Sequence, residues 1–182
     1  EALKTYFSYT PQVFRNTELA YISDIAKSVE KLGYHSILIE GCDRTLKGKN
    51  CNYLYTSATG KGLKILTRNQ DYSRFFTQPG IRSTRRRHSR KPNEVINNLL
   101  KEPGDCINIW FDLECIGEHQ KASTGIFEFI EDFVYAALKT GEIKFILPSE
   151  AQSLFKPKGT ITVFSPVTWH IKSNDISAWN GN

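Results

Sequence analysis

Residues 16–44 read NTELAYISDIAKSVEKLGYHSILIEGCDR, and this stretch decides the fold class. Apolar side chains recur every three or four residues over 19–32, and Gly33 ends the pattern, which predicts an amphipathic helix. The run SILI at 36–39 follows as a short buried strand, and polar residues come directly after it. A helix that alternates with an apolar strand is typical of α/β proteins.

The same alternation continues along the rest of the chain. Because the predicted strands are apolar throughout, we expect a parallel sheet with both faces covered. Whether such a sheet is open or closed into a barrel, its functional residues lie beyond the carboxyl ends of the strands. Further strands are predicted at 63–67 (LKILT), 107–111 (INIWF), 143–147 and 160–164, and further helices at 93–101, at 126–138 and from Pro148.

The net charge of +5 comes from one short segment. Residues 82–91 (RSTRRRHSRK) hold six arginines and lysines and no acid, so the remainder is close to neutral. Such a segment is compatible with a nucleic-acid-binding module. No aromatic residue is interleaved with the charges, and Pro79, Gly80 and Pro92 bracket them, which favours an exposed loop over a nucleic-acid partner.

Several classes of protein and site are excluded by the composition. No run of about 18 apolar residues exists and no signal peptide opens the chain, so no membrane partner is predicted. The four cysteines form no C-x-x-C pair, which indicates reduced thiols and a cytoplasmic location, and the scattered histidines do not suit a zinc site. Nucleotide-binding glycine motifs are missing too, so neither a metal nor a cofactor is expected.

Titratable side chains cluster after the predicted strand at 107–111. Asp112 ends this strand, and Glu114, Glu118 and His119 follow in the same loop. Crowded carboxylates raise one pKa and leave another low, which suits paired acid and nucleophile chemistry. The alternative is that these groups are solvated, or that they cap the helix after Gly125. Glu18 has a comparable structural alternative as an acid in the first turn of a helix.

Five short motifs follow one another along the chain. The segment DLECIGEHQ at 112–120, followed by TGIFEF at 124–129, resembles the D-Y-E-T-F-G-E-H-Q and T-G-I-F-E-F motifs of glycoside hydrolase family 57, in its α-amylase-like branch. Leu113, Cys115 and Ile116 depart from this motif. The other matching elements are PQVFRNTEL at 11–19, EGCDR at 40–44 with Asn52 and Tyr53, PSE at 148–150 and DISAWNGN at 175–182.

The resemblance implies an enzyme that acts on α-1,4-glucans or malto-oligosaccharides, of the α-amylase or 4-α-glucanotransferase type. By motif, Glu18 is the nucleophile and Asp112 the general acid/base of a retaining double displacement, with carboxyl groups about 5 to 5.5 Å apart. Hydrolysis and transfer are not distinguished by any residue. The residues expected to bind substrate are Glu40, Asp43, Arg44, Glu114, His119, Trp169, His170, Asp175 and Trp179.

The resemblance also implies an architecture for residues 1–182. Only seventeen residues precede Glu18, so we expect part of a (β/α)7 barrel that lacks its first strands, as a partial catalytic domain from a longer protein. Two alternatives stay open. One is a catalytically inactive, carbohydrate-binding relative, and the other is the nucleic-acid-binding module built on the basic segment.

Overall fold

The computed structural model describes residues 2–77, 91–170 and 174–177. The chain divides into two compact units. The first takes in Glu1–Arg68, Gly104–Asn108 and Leu147–Asn182, and the second takes in Asn69–Pro103 and Ile109–Ile146. Most of the predicted basic segment, residues 82–90, lies outside the described residues, as does Trp179.

The first unit is built on a five-stranded sheet. Its strands are β1 (Val13–Arg15), β2 (Ser36–Ile39), β3 (Tyr55–Ser57), β4 (Lys64–Thr67) and β5 (Thr160–Ile161), and its helices are α1 (Ala2–Phe7), α2 (Ala26–Lys31), α3 (Asp43–Leu46) and α7 (Pro148–Leu154). The strand order is β1-β2-β4-β3-β5. Strands β1, β2 and β4 are parallel neighbours, β3 runs antiparallel to β4, and β5 runs parallel to β3.

The expectation of an all-parallel sheet is wrong for the β3–β4 pair. These two strands are joined by residues 58–63 alone, and so short a connection forms a hairpin because a parallel crossover needs a dozen or more residues. The Glu30 carboxylate accepts hydrogen bonds from the backbone N–H groups of Lys61 and Leu63, at 2.7–2.9 Å. The hairpin is therefore fastened to the end of α2.

The apolar strand residues form the core of this unit. Ile37, Ile39 and Ile65 are completely buried, together with Ile161 of β5. They pack with Ala26 and other small and branched side chains in one continuous cluster. The predicted strands at 36–39 and 63–67 are confirmed, and the one at 160–164 is reduced to two paired residues.

The helix predicted over 19–32 is much shorter than expected. Regular α-helix is limited to α2, and the preceding residues form two 3₁₀ turns, Thr17–Leu19 and Ser23–Ile25. Between these turns Tyr21 forms an antiparallel bridge with Val167, with two backbone hydrogen bonds of 2.9 Å. A long-range backbone pairing has thus replaced the first half of the helix.

The second unit is helical over the described residues. Its helices are α4 (Gln70–Thr77), α5 (Pro92–Leu99) and α6 (Ile126–Lys139), which confirms the helices predicted near 93–101 and 126–138. Phe76 of α4 packs edge-on against Phe129 and Phe133 of α6, with ring centroids 5.5 and 5.2 Å apart. Helix α6 begins after Gly125, whose φ of 74° suits a residue without a Cβ.

The strands predicted at 107–111 and 143–147 are not formed. In the first of these segments, a side chain is one partner in each of two hydrogen bonds to other segments. Asn108 Nδ2 donates to the Thr67 carbonyl oxygen at 3.0 Å, and the Trp110 backbone N–H donates to Ser73 Oγ at 3.2 Å. In the described part of the chain, no helix combines the length and apolar character that crossing a bilayer requires.

Candidate active site

The carboxyl ends of three adjacent parallel strands bring polar side chains together in the first unit. The register pairs Arg15 of β1 with Leu38 of β2, and Leu38 with Leu66 of β4, so the three strands end almost level. Glu40 follows β2 and Arg68 follows β4. Ligands of parallel α/β sheets bind at this edge.

Glu18 lies in a tight turn after β1. Asn16 supports the turn, because its Oδ1 accepts from the Thr17 N–H at 3.0 Å and its Nδ2 donates to the Ala20 carbonyl oxygen at 3.0 Å. Glu18 and Leu19 have φ values of 54° and 51°, in the left-handed region that non-glycine residues rarely adopt. Conformations of this kind are often found at functional sites, where the surrounding structure imposes them.

Trp169 contacts Glu18 through both backbone and side chain. The Trp169 backbone N–H donates to the Glu18 carbonyl oxygen at 3.0 Å, and the indole Nε1–H donates to Glu18 Oε2 at 2.6 Å. The Tyr21–Val167 bridge runs alongside and fixes the register of the two segments. The half-buried Glu18 carboxylate is therefore held in a single orientation by a charge-assisted hydrogen bond.

Two arginines lie against the same indole ring. The guanidinium carbon of Arg15 lies 4.9 Å from the ring centroid of Trp169, and that of Arg68 lies 5.3 Å away. Arg68 Nε also donates to Glu40 Oε2 at 2.8 Å, and both side chains are buried, Glu40 completely. Glu40, Arg68, Trp169 and Glu18 thus form one connected group.

The remaining substrate-binding candidates of the first unit lie near the amino end of α3 and in the last described segment. Asp43 and Arg44 are exposed, and Arg44 Nη1 lies 3.8 Å from Asp175 Oδ2. The Asp175 carbonyl oxygen accepts from Thr168 Oγ1 at 2.8 Å. The half-buried His170 donates its backbone N–H to Thr168 Oγ1 at 3.3 Å.

Asp112 lies in the second unit, in a loop anchored on α4. Phe111 stacks on Phe76 with ring centroids 5.0 Å apart and planes 3° from parallel. The fully buried Gln120 donates through Nε2 to the Phe76 carbonyl oxygen at 2.6 Å and to the Cys115 carbonyl oxygen at 3.3 Å. Between these two anchors Asp112 begins a 3₁₀ turn in an extended conformation and is half-buried.

Two of the other titratable groups predicted in this loop pair with each other. His119 Nε2 lies 3.4 Å from Glu114 Oε1, with both side chains more than half exposed. Burial, with the charges of Asp112 and Glu114 in support, raises the pKa of the Cys115 thiol. Over the described ranges, no three His, Cys, Asp or Glu side chains lie close enough together to hold a metal ion.

The fold brings together three of the residues that the motif resemblance selects and adds two arginines that it does not select. The resemblance picked out Glu18, Glu40 and Trp169, which the fold brings together, while the approach of Glu18 to Asp112 stays a prediction. Arg15 and Arg68 were not selected. The position of Arg68 at the carboxyl end of a predicted strand was a usable signal, because functional residues of α/β sheets lie there.

Comparisons with known proteins agree with the motif resemblance. The chain is 36% identical over 184 residues to a putative alpha-amylase of Methanocaldococcus jannaschii, covering 98% of this chain and 38% of that relative. Its fold is similar to the crystal structure of 4-alpha-glucanotransferase from Thermococcus litoralis, with a TM-score of 0.69, 18% identity, and coverage of 89% of this chain and 26% of that chain.

These matches bear on fold and family. The structural likeness confirms the predicted α/β fold and agrees with part of a (β/α)7 barrel. The chain spans well under half the length of either relative. The family model for glycosyl hydrolase family 57 matches residues 1–164. With this match over nine-tenths of its length, the chain belongs to glycosyl hydrolase family 57.

Proposed function

We propose that this chain is part of the catalytic barrel of a retaining enzyme that hydrolyses α-1,4-glucans or transfers their glycosyl units. The single observation that carries the proposal is the orientation of Glu18. Its carboxylate lies at the carboxyl edge of three parallel strands and accepts the Trp169 indole hydrogen bond at 2.6 Å. The similarity to a putative alpha-amylase and to a 4-alpha-glucanotransferase supports a glucan as substrate.

In the first step a carboxylate oxygen of Glu18 attacks the anomeric carbon of the sugar. The glycosidic C–O bond breaks, and protonated Asp112 gives its proton to the departing oxygen. In the second step the Asp112 carboxylate takes a proton from water or from a sugar hydroxyl, which attacks the same carbon and releases Glu18. Water yields hydrolysis, and a sugar hydroxyl yields transfer.

The other predicted residues receive supporting roles in this proposal. Arg44 and Asp175 are polar, partly exposed groups of the kind that bind sugar hydroxyls. The motif resemblance assigns Trp169 and Trp179 to the wall that faces the sugar, since aromatic rings pack on pyranose rings. Glu114 and His119 follow Asp112 in sequence, and a cytoplasmic location is part of the same proposal.

The test is product analysis on the intact protein with a malto-oligosaccharide of defined length. Hydrolysis yields shorter products only, transfer yields a ladder that includes longer ones, and proton NMR of the first products reports α configuration if the mechanism is retaining. Asp112→Asn should lower kcat/KM by about 10²–10⁴-fold, as loss of general acid–base catalysis does. The loss should be much smaller for a substrate whose leaving group needs no proton.

Matched controls exist for both carboxylates. Asp71→Asn changes an exposed aspartate of the second unit, and Asp24→Asn changes one close to Glu18 in sequence. Both should leave the rate unchanged, whereas Glu18→Gln should abolish turnover. Inverted β products, or full activity in Asp112→Asn, would contradict the mechanism. Glucan binding without any product would instead support the inactive, carbohydrate-binding relative.

A further inference from the structure

We infer that Arg68 and Glu40 are a positioning pair that orients the nucleophile Glu18 through the indole of Trp169. The inference rests on the proposed function, because the catalytic consequence requires Glu18 to react. It gives Glu40 a role that differs from the predicted direct contact with substrate. Neither Arg68 nor Glu40 is expected to touch the sugar.

The pair is fixed by the pairing of β2 with β4. The register aligns Ile39 with Thr67, so the residues that follow, Glu40 and Arg68, leave the sheet side by side. The Arg68 backbone N–H donates to the Ile39 carbonyl oxygen at 3.0 Å. The side chains then meet at 2.8 Å, with Arg68 9% exposed and Glu40 0% exposed.

The backbone beside the pair is packed too closely for a side chain. A Cβ at Gly41 would lie 2.1 Å from the Arg68 carbonyl oxygen and 3.4 Å from Cys51 Cβ. The turn after Glu40 therefore rests directly on the Arg68 backbone. This contact leaves the Arg68 backbone little room to shift relative to Glu40.

The guanidinium of Arg68, held in this way, lies against the indole ring of Trp169. Its guanidinium carbon lies 5.3 Å from the indole centroid, within the range in which a cation is attracted to the ring face. A cation beside the ring also draws electron density from it and so strengthens the Nε1–H as a donor. That N–H is the group that contacts Glu18 Oε2.

Stability alone does not account for this arrangement. Buried ion pairs are expensive to desolvate, and apolar residues of the same size are often equally stable. An ion pair does, however, fix a planar guanidinium in one orientation, which a flexible or apolar side chain does not do. The pair is thus suited to hold the indole, and with it the nucleophile, in place.

The test combines kinetics and NMR on the intact protein. The central variant is Arg68→Gln with Glu40→Gln, which removes both charges and leaves no uncompensated charge in the core. We expect kcat to fall about 10-fold or more with KM within about threefold, the pattern of an interaction used in the transition state. The Trp169 indole N–H resonance should also shift, because its hydrogen bond to Glu18 changes.

A double-mutant cycle separates positioning from a general structural role. Trp169→Phe keeps an aromatic ring but removes the N–H, so the pair has no donor left to orient. In this background the Arg68→Gln/Glu40→Gln change should have almost no further effect on kcat. Arg68→Lys keeps a cation but lacks the planar guanidinium, so we expect its kcat to lie between those of the wild-type protein and the Arg68→Gln/Glu40→Gln variant.

Lys158→Gln is the matched control, since it removes a cation that lies 5.3 Å from the ring centroid of Tyr53 in the same unit. It should change neither kcat nor the Trp169 resonance. The inference would be overturned if the Arg68→Gln/Glu40→Gln change lowered kcat equally in the wild-type protein and in Trp169→Phe. An unshifted Trp169 indole resonance in the Arg68→Gln/Glu40→Gln variant would overturn it as well. If the wild-type protein is inactive on glucans, the proposed function fails, and the resonance alone decides whether the pair positions Trp169.

Discussion

At the scale of single residues, Glu18 carries one constraint on its backbone and another on its carboxylate. The left-handed φ of 54° turns the chain abruptly after β1, and the indole of Trp169 fixes Oε2. The second constraint depends on a contact across 151 residues of sequence. The orientation of the Glu18 carboxylate is therefore a property of the folded first unit and not of the local motif alone.

Loss of the indole donor should impair catalysis more than binding. Trp169→Phe retains the ring but removes a hydrogen bond to a charged group, worth about 1.5–3 kcal/mol. We expect kcat to fall by about 10–100-fold with little change in KM. Steady-state kinetics on a malto-oligosaccharide measure both. An increase in KM at unchanged kcat would mean that Trp169 binds substrate and does not orient Glu18.

The half-buried thiol of Cys106 predicts how the stability of the protein responds to alkaline pH. Burial, with Asp105 in support, raises the pKa of Cys106 to about 11, above its value of 9.0 in the unfolded chain. The folded state therefore holds this proton more tightly, so the stability is complete below about pH 9 and is lost as pH rises through about 11. The loss should approach about 3 kcal/mol, because a pKa difference of one corresponds to about 1.4 kcal/mol.

Urea unfolding at pH 8 and pH 10.5 measures this effect. Cys106→Ala should show a smaller alkaline loss than the wild-type protein, because it has no thiol to ionise. Tyr21, whose pKa is also raised by burial, adds to the alkaline loss in both proteins. An identical pH dependence in wild type and variant would show that Cys106 does not contribute.

At the scale of elements, the β3–β4 hairpin depends on one glutamate and one glycine. Gly60 has a φ of 85°, and a Cβ there would lie 2.3 Å from Glu30 Oε2. The carboxylate that would be displaced accepts the N–H groups of Lys61 and Leu63. The hairpin and α2 are thus coupled through a few polar contacts.

Gly60→Ala should therefore destabilise the protein by about 1–3 kcal/mol, the cost of a strained conformation, together with the displaced contact. Glu30→Ala should cost about 1–2 kcal/mol through the hydrogen bonds alone. Glu30→Gln keeps an accepting oxygen and is the milder control. Thermal unfolding gives the ranking. Unchanged melting temperatures in both Gly60→Ala and Glu30→Ala would show that these contacts do not support the hairpin.

Elements with a strong local signal could be predicted from the sequence, and elements that depend on distant partners could not. Helix α6 has a broad apolar face and a glycine at each end, and β2 is a compact apolar run, so both were identified. Strand β1 has three residues and exists through its pairing with β2. The INIWF segment is apolar but forms side-chain contacts through Asn108 in place of a strand ladder.

In the candidate site, too, residues within a local motif could be predicted from the sequence, and residues that matter through distant contacts could not. Motif resemblance selected Glu18 and Asp112, since the chemistry requires carboxylates in a recognisable sequence context. It did not select Arg68. The place of this residue after an apolar strand is a signal that it is functional, but its contacts with Trp169 and Glu40 come from distant segments of the sequence. A network formed by strand register has no signature in one segment of sequence.

At the scale of the whole molecule, the two carboxylates of the proposed mechanism belong to different compact units. Glu18 belongs to the first unit and Asp112 to the second. A retaining mechanism requires their carboxyl groups to come within about 5 to 5.5 Å of each other in the working enzyme. We expect an experimental structure of the intact protein with a bound oligosaccharide to have this separation, and a gap of about 6.5–9.5 Å would indicate inversion.

Trapping the covalent glycosyl-enzyme intermediate is the decisive test of the role proposed for Glu18 as the nucleophile. The intact protein would be incubated with an α-glucosyl fluoride whose ring carries a second fluorine that slows release of the sugar, then digested and analysed by peptide mass spectrometry. We expect one sugar per chain, attached to the Glu18 side chain and absent from Glu18→Gln. A label on another carboxylate, or α-glucan cleavage with inverted products and no label, would show that Glu18 is not the nucleophile.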